Sequence, residues 1–496
     1  MDIKYENARN GDRICSIGGI KLHSGYDPQK EAERFVSGLT CAFSPTHIVI
    51  TGPALSYCAK YLKKRYENAS LIAVHYISKM DYDHSIWDKV FYADPNDSTP
   101  LSEALYSYLG EEGISSALFA SWQPSEKVFP ENYSYAWSEI KKAVVKSRNV
   151  LSTRSYFARR WIKNAVNFCL YSKNNSYITY GEAPVVICAS GPSLKDSIPL
   201  LKKGRKQFFL IAVSSALSPL LHENLIPDLC ISTDGGFWAK RHLSHYLKKL
   251  PQLPLALSPE SACYGSCFDH PVIPLSYGDG PGETLLRECS YKAMNAARNG
   301  TVSGTAAEFA LSITRGPVFF CGLDLQPNNS FSHTQPNELE DMSQVLDYRL
   351  STKESRLTPS SFPSVPLATY LSWFQNKDFK GRLFRLSDSY SYGNRLGKVE
   401  DVDFDFFEEE LKKSGRKMSE IETFINNFDL SERKRKILSI IESHLHDDDW
   451  IQNALPCEYL IYRRSLGTEN LEDARRSLEN GLEKFFEEIR RFLSDN

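Results

Sequence analysis

Twice in this chain a run of apolar residues leads through a glycine turn into a helical stretch, and that order limits the fold more than any other feature. His47–Thr51 is followed by Gly52-Pro53-Ala54, then by the helical-looking Leu55–Arg65 and a second apolar run, Ser70–Tyr76. Strand, turn, helix and strand at this spacing make a βαβ unit, whose strands lie parallel. The pattern returns more strongly at Pro184–Ala189, where Gly191-Pro192-Ser193 turns the chain into a helix beginning near Ser193. Gln207–Val213, Asp228–Thr233 and Val318–Gly322 read as further strands. Thr301–Thr314 reads as a helix with small residues at Ser303, Gly304, Ala306 and Ala307. The expected fold class is α/β: two Rossmann-like, doubly wound regions followed by a C-terminal α-helical region.

At about 150 residues per domain, a chain of 496 residues suggests roughly three units. The first is expected over 1–175, where Trp137–Phe168 carries aromatic and basic residues at helical spacing. The polar segment Ser172–Glu182 reads as a linker. A second α/β domain is expected over 180–400. From 405 to 496 the pattern becomes helical: Leu471, Ala474, Leu478, Leu482, Phe485, Ile489 and Phe492 form one apolar stripe, with Asn470 as N-cap. No repeat of solenoid period is visible.

Charge and cysteine usage narrow the class. Lys+Arg (59) and Asp+Glu (61) nearly cancel, to a formal charge of −2, so the chain-wide basic footprint of a nucleic-acid binder is absent. Apolar residues at 42% and charged residues at 24% fit a soluble globular protein and argue against global disorder. No stretch approaches the ~18 apolar residues of a membrane span, and Met1–Arg13 lacks the apolar centre of a signal peptide. Eleven scattered cysteines, an odd number, fit reduced thiols in a cytoplasm. The closest pair, Cys263 and Cys267, lacks a second pair or a nearby His to complete a zinc site.

In doubly wound sheets ligands sit beyond the C-terminal ends of strands. That rule selects Ser190–Leu194, Ser214-Ser215, Asp234-Gly235-Gly236 and Asp324 as one candidate cluster. Gly191 lets the chain turn sharply, the following helix N-terminus attracts an anion, and the Ser193 hydroxyl adds a donor. A nucleotide phosphate is the natural occupant; the alternative is a turn that uses Gly and Pro because they fit. Asp234 can accept ribose or sugar hydroxyls, or cap a helix. His333, in the polar loop Pro327–Gln335, is a candidate general base, against the alternative of a solvated loop His. Two acidic or His-containing sets are not expected to bind metal. Asp401, Asp403 and Asp405 alternate with Val402 and Phe404 as an exposed strand face would, and His444, His446 and Asp447–Asp449 read as a solvated helix end.

Most of the chain resembles the motility-associated factor family of flagellin glycosyltransferases, whose central domain resembles bacterial sialyltransferases. Leu22-His23-Ser24-Gly25-Tyr26-Asp27-Pro28, followed by Glu31-Ala32-Glu33-Arg34, looks like that family's opening signature. Ile48–Leu62 is similar to its N-terminal Rossmann-like segment, and Val185–Leu194 to its nucleotide-binding turn. Ala212–Leu217, Ile226-Pro227-Asp228, Thr233-Asp234, Thr301-Val302-Ser303-Gly304, Gly322-Leu323-Asp324-Leu325 and His333-Thr334 follow in the family's order. Leu386-Ser387-Asp388-Ser389 then leads to Gly393.

The resemblance implies a cytoplasmic transferase of flagellar assembly. It would move a nonulosonic acid, a sialic-acid-like sugar, from its CMP-activated form to Ser or Thr of flagellin, with no further cofactor. By position it puts the CMP-sugar on Ser190, Gly191, Pro192, Ser193, Ser214, Ser215, Asp234, Ser303, Gly304 and Asp324. His333 would be the base, with Asp234 as the second catalytic candidate. Departures stand beside this. Sialyltransferases carry Asn in the glycine turn, where this chain has Ser190, and tyrosines after the Gly-Ile/Leu-Asp strand, where it has Gln326 and Ser332. Tyr277 and Arg298 are left as candidates for assisting the leaving group. The same central domain resembles archaeal-type 6-hydroxymethylpterin diphosphokinases, a second reading. A third is a non-catalytic flagellin-binding factor with a degenerate pocket.

Overall fold

The computed structural model describes residues 2–495 apart from 98, 245–246, 327–330, 332, 354–364, 388–391, 414–415 and 426–427. Ser332, Asp388 and Ser389 of the motifs above thus lie outside the described residues. Contacts gather the chain into two compact units: Met1–Ala158 with Ile451–Phe485, and Arg159–Trp450 with Phe486–Asn496.

In the first unit, β1 (Ile3–Asn7), β2 (Arg13–Ile17) and β3 (Ile20–Lys21) form a small antiparallel sheet. The predicted βαβ unit is present as β4 (His47–Thr51), the helix Cys58–Arg65 and β5 (Ser70–His75). With β6 (Lys89–Tyr92) and β7 (Ala117–Ser121) they make a parallel sheet of order β6-β5-β4-β7. Gly52 ends β4 at φ +60, where a Cβ would run into the Tyr76 ring, so no other residue fits that turn. The opening signature is a latch. Asp27 caps the helix Pro28–Gly38 through the N–H groups of Gln29 and Lys30, and Glu31 accepts from Ser24 N–H at 2.6 Å. His23 Nε2 accepts from Leu55 N–H at 3.0 Å, tying that segment to the loop after β4.

The second unit holds the larger sheet, built from β8 (Asn174–Ile178), β9 (Val185–Cys188), β10 (Phe209–Val213), β11 (Leu229–Ser232), β12 (Leu255–Leu257), β13 (Val272–Ser276), β14 (Met294–Asn295), β15 (Val318–Cys321), β16 (Leu383–Leu386), β17 (Glu400–Val402) and β18 (Ile421–Ile425). Its order is β17-β16-β15-β9-β10-β11-β12-β13-β8-β18, with β14 beside β13. Every pairing is parallel except that of β18 with β8. β9, β10, β11 and β15 are buried at every residue, as strands covered on both faces must be. From β9 the chain adds β10 to β13 on one side, then returns to add β15 to β17 on the other. That reversal opens a crevice between β9 and β15.

Two expectations need correction. The polar segment read as a linker contains β8, which pairs with both β13 and β18. Its Asn and Ser side chains hid it from a reading based on apolar runs, yet Asn175 and Ser176 are buried. The C-terminal region, expected to be helical throughout, supplies β18 as the edge strand of the large sheet. Its residues are also shared between units, Ile451–Phe485 going with the first and the rest with the second. The helix foreseen around Trp137–Phe168 is present as Pro130–Tyr171, 42 residues continuing from one unit into the other.

Candidate functional site

The predicted cluster gathers at the crevice, because the β9 and β15 turns and the loop beyond β15 bond to one another. Gly191 N–H donates to Gly322 O at 2.9 Å. A Cβ at Gly191 would come within 2.5 Å of Gly322 O and 2.6 Å of Asp324 Oδ2, so this glycine is required by the neighbouring loop. Thr334 N–H donates to Ser190 O at 2.7 Å and its hydroxyl to Gly191 O at 2.6 Å. Ser215 Oγ donates to Ser190 Oγ at 2.8 Å, while Asn337 Nδ2 holds Ser215 O at 3.2 Å. Ser214 is buried at the start of the same turn.

The donors of the glycine turn are already engaged. Ser193 N–H donates to Asp324 Oδ2 at 3.1 Å and its hydroxyl to Oδ1. The N–H groups of Leu194, Lys195 and Asp196 bond to Gly191, Pro192 and Ser193 carbonyls. Asp324 therefore stands where an anion would sit at this helix N-terminus. Burial raises its pKa, opposed by the two Ser193 bonds and by the Arg385 charge. Arg385 is fully buried and pairs with Asp401 through Nε at 2.6 Å and Nη2 at 3.0 Å. It also holds Leu323 O and Asn394, and lies 3.6 Å from the Tyr392 ring centroid. The Tyr392 hydroxyl donates to Leu386 O at 3.2 Å and lies 3.2 Å from Ser193 Oγ, and burial raises its pKa. Asp401, expected on an exposed strand face, is thus the partner of the most deeply buried charge in the site.

Further along the same edge stands Asp234, two strands from β9, or about 10 Å at ordinary strand spacing. It is exposed, and its Oδ1 accepts from Gly236 N–H at 2.8 Å, turning the chain into the helix Phe237–Ser244. Tyr370, on the helix Val365–Asn376, has its pKa raised first by burial and then by the Asp234 charge, which puts it on this side of the crevice. A Cβ at Gly235 would lie 2.5 Å from the Trp161 indole. Arg298 pairs with Glu260 at 2.6 and 2.9 Å and with Asp279 at 3.0 Å, joining the loops after β12 and β13. It is a strut between carboxylates and offers no free cation to a leaving group. Tyr277 lies against it, 4.5 Å from ring centroid to guanidinium carbon.

Ser303 and Gly304 occupy the first turn of the helix Val302–Ile313, which precedes β15 and so begins at the same sheet edge. Thr301 places no side-chain cap on it, leaving the first N–H groups without an intrahelical partner. A Cβ at Gly304 would lie 2.9 Å from Asn299 and 3.1 Å from Trp373, so close packing explains that glycine.

His333 is half-buried, and its pKa is pushed down to about 4, chiefly by burial, then by His242, with Glu338 opposing. His242 Nδ1 is 2.9 Å from Glu338 Oε2, and the two imidazole rings are 6.5 Å apart. Among the described residues no hydrogen bond joins His333 to Asp234. Sequence reasoning missed His242, Glu338, Arg385, Tyr370 and Tyr392. The one available signal was that His242 sits on the helix leaving the Asp234 turn. His444, read as solvated, bridges Glu288 at 2.6 Å and Asp447. Among the described residues no group of three His, Cys, Asp or Glu is placed to hold a metal, and no helix is long and apolar enough to cross a membrane.

Residues 159–330 match the family described as 6-hydroxymethylpterin diphosphokinase MptE-like. An uncharacterized protein of Treponema pallidum (strain Nichols) is 26% identical over 310 residues, covering 61% of this chain and 67% of that protein. Among solved structures, the Maf glycosyltransferase from Magnetospirillum magneticum AMB-1 superposes with a TM-score of 0.53 at 14% identity, over 99% of this chain and 90% of that one. The resemblance read from the ordered motifs is thereby borne out: this chain has a Maf-like α/β fold along almost its whole length, with an MptE-like segment at its centre.

Proposed function

We propose that the chain is a glycosyltransferase that moves a nonulosonic sugar from a CMP-activated donor to a Ser or Thr hydroxyl of flagellin, in the cytoplasm and with no cofactor beyond the donor. The observation that carries this reading is the extent of the shared fold. It reaches both sides of the MptE-like segment, and those flanks are what a pterin kinase would not need.

In the reaction the acceptor oxygen bonds to the anomeric carbon, the bond from that carbon to the CMP phosphate oxygen breaks, and CMP leaves with the electron pair. The acceptor's proton passes to a base. His333, held neutral at pH 7, has a free lone pair for it. Because the β9 turn is filled by Asp324, the phosphate is assigned to the uncapped N–H groups and the Ser303 hydroxyl at the start of Val302–Ile313. Asp234 is assigned to donor hydroxyls.

Incubation of the purified chain with CMP-activated nonulosonate and flagellin should add the sugar's mass to flagellin, and His333→Ala should reduce that addition by about 100-fold or more. Full transfer by the variant would remove His333 from the chemistry. The MptE-like match favours one other reading, ATP-dependent pyrophosphorylation of 6-hydroxymethylpterin. Pterin pyrophosphorylation without sugar transfer would put it first.

A further inference from the structure

We propose that Glu338 and His242 form a positioning pair for His333, the carboxylate fixing the tautomer of His242 and supplying the negative charge that His333 needs when it takes up a proton. This rests on the transferase reading, in which His333 is the base.

The pair is built into two helices that meet behind the crevice. His242 belongs to Phe237–Ser244 and Glu338 opens Glu338–Gln344. Both side chains are mostly withdrawn from solvent, at 7% and 12% exposure, so their contact is not screened as a surface pair would be. An ionised carboxylate only accepts, so His242 Nδ1 carries the proton toward Glu338 Oε2 and its Nε2 keeps the lone pair. Glu338 Oε1 is buried with no hydrogen-bond partner among the described residues, an arrangement that costs stability and gives the fold no evident return. Asn337, just before it, caps the same helix and holds the Ser215 carbonyl, and Thr334 holds Ser190 and Gly191. The segment that presents His333 is thus fixed to the glycine turn on one side and to the Glu338–His242 pair on the other.

The charged groups that reach His333 are His242 and Glu338, and they act in opposite directions. A proton arriving on His333 makes a cation in a desolvated place. The His242 charge repels that proton, and the Glu338 carboxylate behind it attracts. Loss of the carboxylate lowers the affinity of His333 for a proton, whereas loss of His242 raises it. Neither residue has to touch the substrate.

The test is nuclear magnetic resonance of the full-length chain with ¹⁵N-labelled histidine, run beside transfer kinetics. The wild-type chain should show His242 as the Nδ1–H tautomer at pH 8 and His333 titrating near pH 4. Glu338→Gln should mix the His242 tautomers and move the His333 midpoint lower, Glu338→Asp should restore both, and His242→Gln should move the midpoint higher. With CMP-sugar, Glu338→Gln should lower kcat by about 10- to 100-fold with little change in KM. An unchanged His242 tautomer and His333 midpoint in Glu338→Gln would overturn the proposal. If the wild-type chain transfers no sugar, the transferase reading fails while the spectra still decide whether the pair acts on His333.

Discussion

The site holds its shape through a few polar residues whose partners lie far apart in the chain. Arg385 has no exposed surface, and Asp401 is the carboxylate beside it. Removing one member of a buried ion pair strands the other charge, at a typical cost of about 3–5 kcal/mol. Asp401→Ala should therefore lower stability by roughly that amount in urea unfolding. A change below about 1 kcal/mol would show the pair to be dispensable. This partnership was not legible in the sequence, where Asp401, Asp403 and Asp405 alternate with Val402 and Phe404 like a solvated strand face. The Gly191, Ser193 and Asp324 cluster was legible, because each directly follows an apolar strand and the ends of neighbouring strands must meet. What the spacing could not reveal is that Asp324 itself fills the turn. Likewise Tyr392 lies far beyond Asp324 in the chain, and only the crossing of strands brings it to Ser193.

The apolar runs of β4, β5, β9, β10, β11 and β15 were read as strands, the shorter apolar strands β7, β12, β13 and β16 were passed over, and the polar β8 was read as a linker. β8 gains its place from backbone pairing and from the Ser176–Thr423 hydroxyl contact at 2.9 Å, neither of which leaves an apolar pattern. The pairing sets up a sharp contrast within β18. Thr179 N–H donates to Glu420 O, so in the antiparallel register Glu422 and Phe424 face β8 with their N–H groups while Thr423 turns its own outward. Glu422→Pro should cost about 1–3 kcal/mol by breaking the ladder. Thr423→Pro should cost less, since proline is tolerated where the N–H faces an open edge. Equal losses in urea unfolding would mean that β18 does not pair in this register. Ile226-Pro227-Asp228, part of the family-like order, also has a structural explanation: Asp228 accepts from Leu210 N–H at 2.7 Å and pairs with Arg205.

At the scale of the whole molecule, buried histidines make acid a threat to the first unit. His75 has no exposed surface, stacks 3.6 Å from Tyr82, and among the described residues neither ring nitrogen has a hydrogen-bond partner. Burial, with a smaller contribution from His84, holds its pKa near 3, and burial holds His23 near 3 as well. The unfolded chain protonates such a group near pH 6.5, while the folded chain resists until the lower value. Stability present above pH 6.5 is therefore lost as pH falls toward 3, by about 1.4 kcal/mol per pH unit for each fully buried His. His75→Phe keeps the stack on Tyr82 and should flatten that loss in urea unfolding between pH 7 and 5. An unchanged slope would mean that His75 takes up its proton without cost.

The α/β architecture was legible from alternating strand and helix patterns, whereas the division into units was not. The C-terminal helices carry an apolar stripe that says what they bury but not which unit receives it, and that is settled only by contacts made far along the chain. The central claim is that the sheet edge between the start of Val302–Ile313 and Asp234 takes a CMP-activated sugar. It is tested most directly by calorimetric titration of the purified chain with CMP, CMP-sialic acid and ATP, with and without Mg²⁺. The account predicts binding of the cytidine nucleotides without Mg²⁺, weakened by Ser303→Ala and by Asp234→Ala. Mg²⁺-dependent binding of ATP alone, or no binding of any of them, would contradict it.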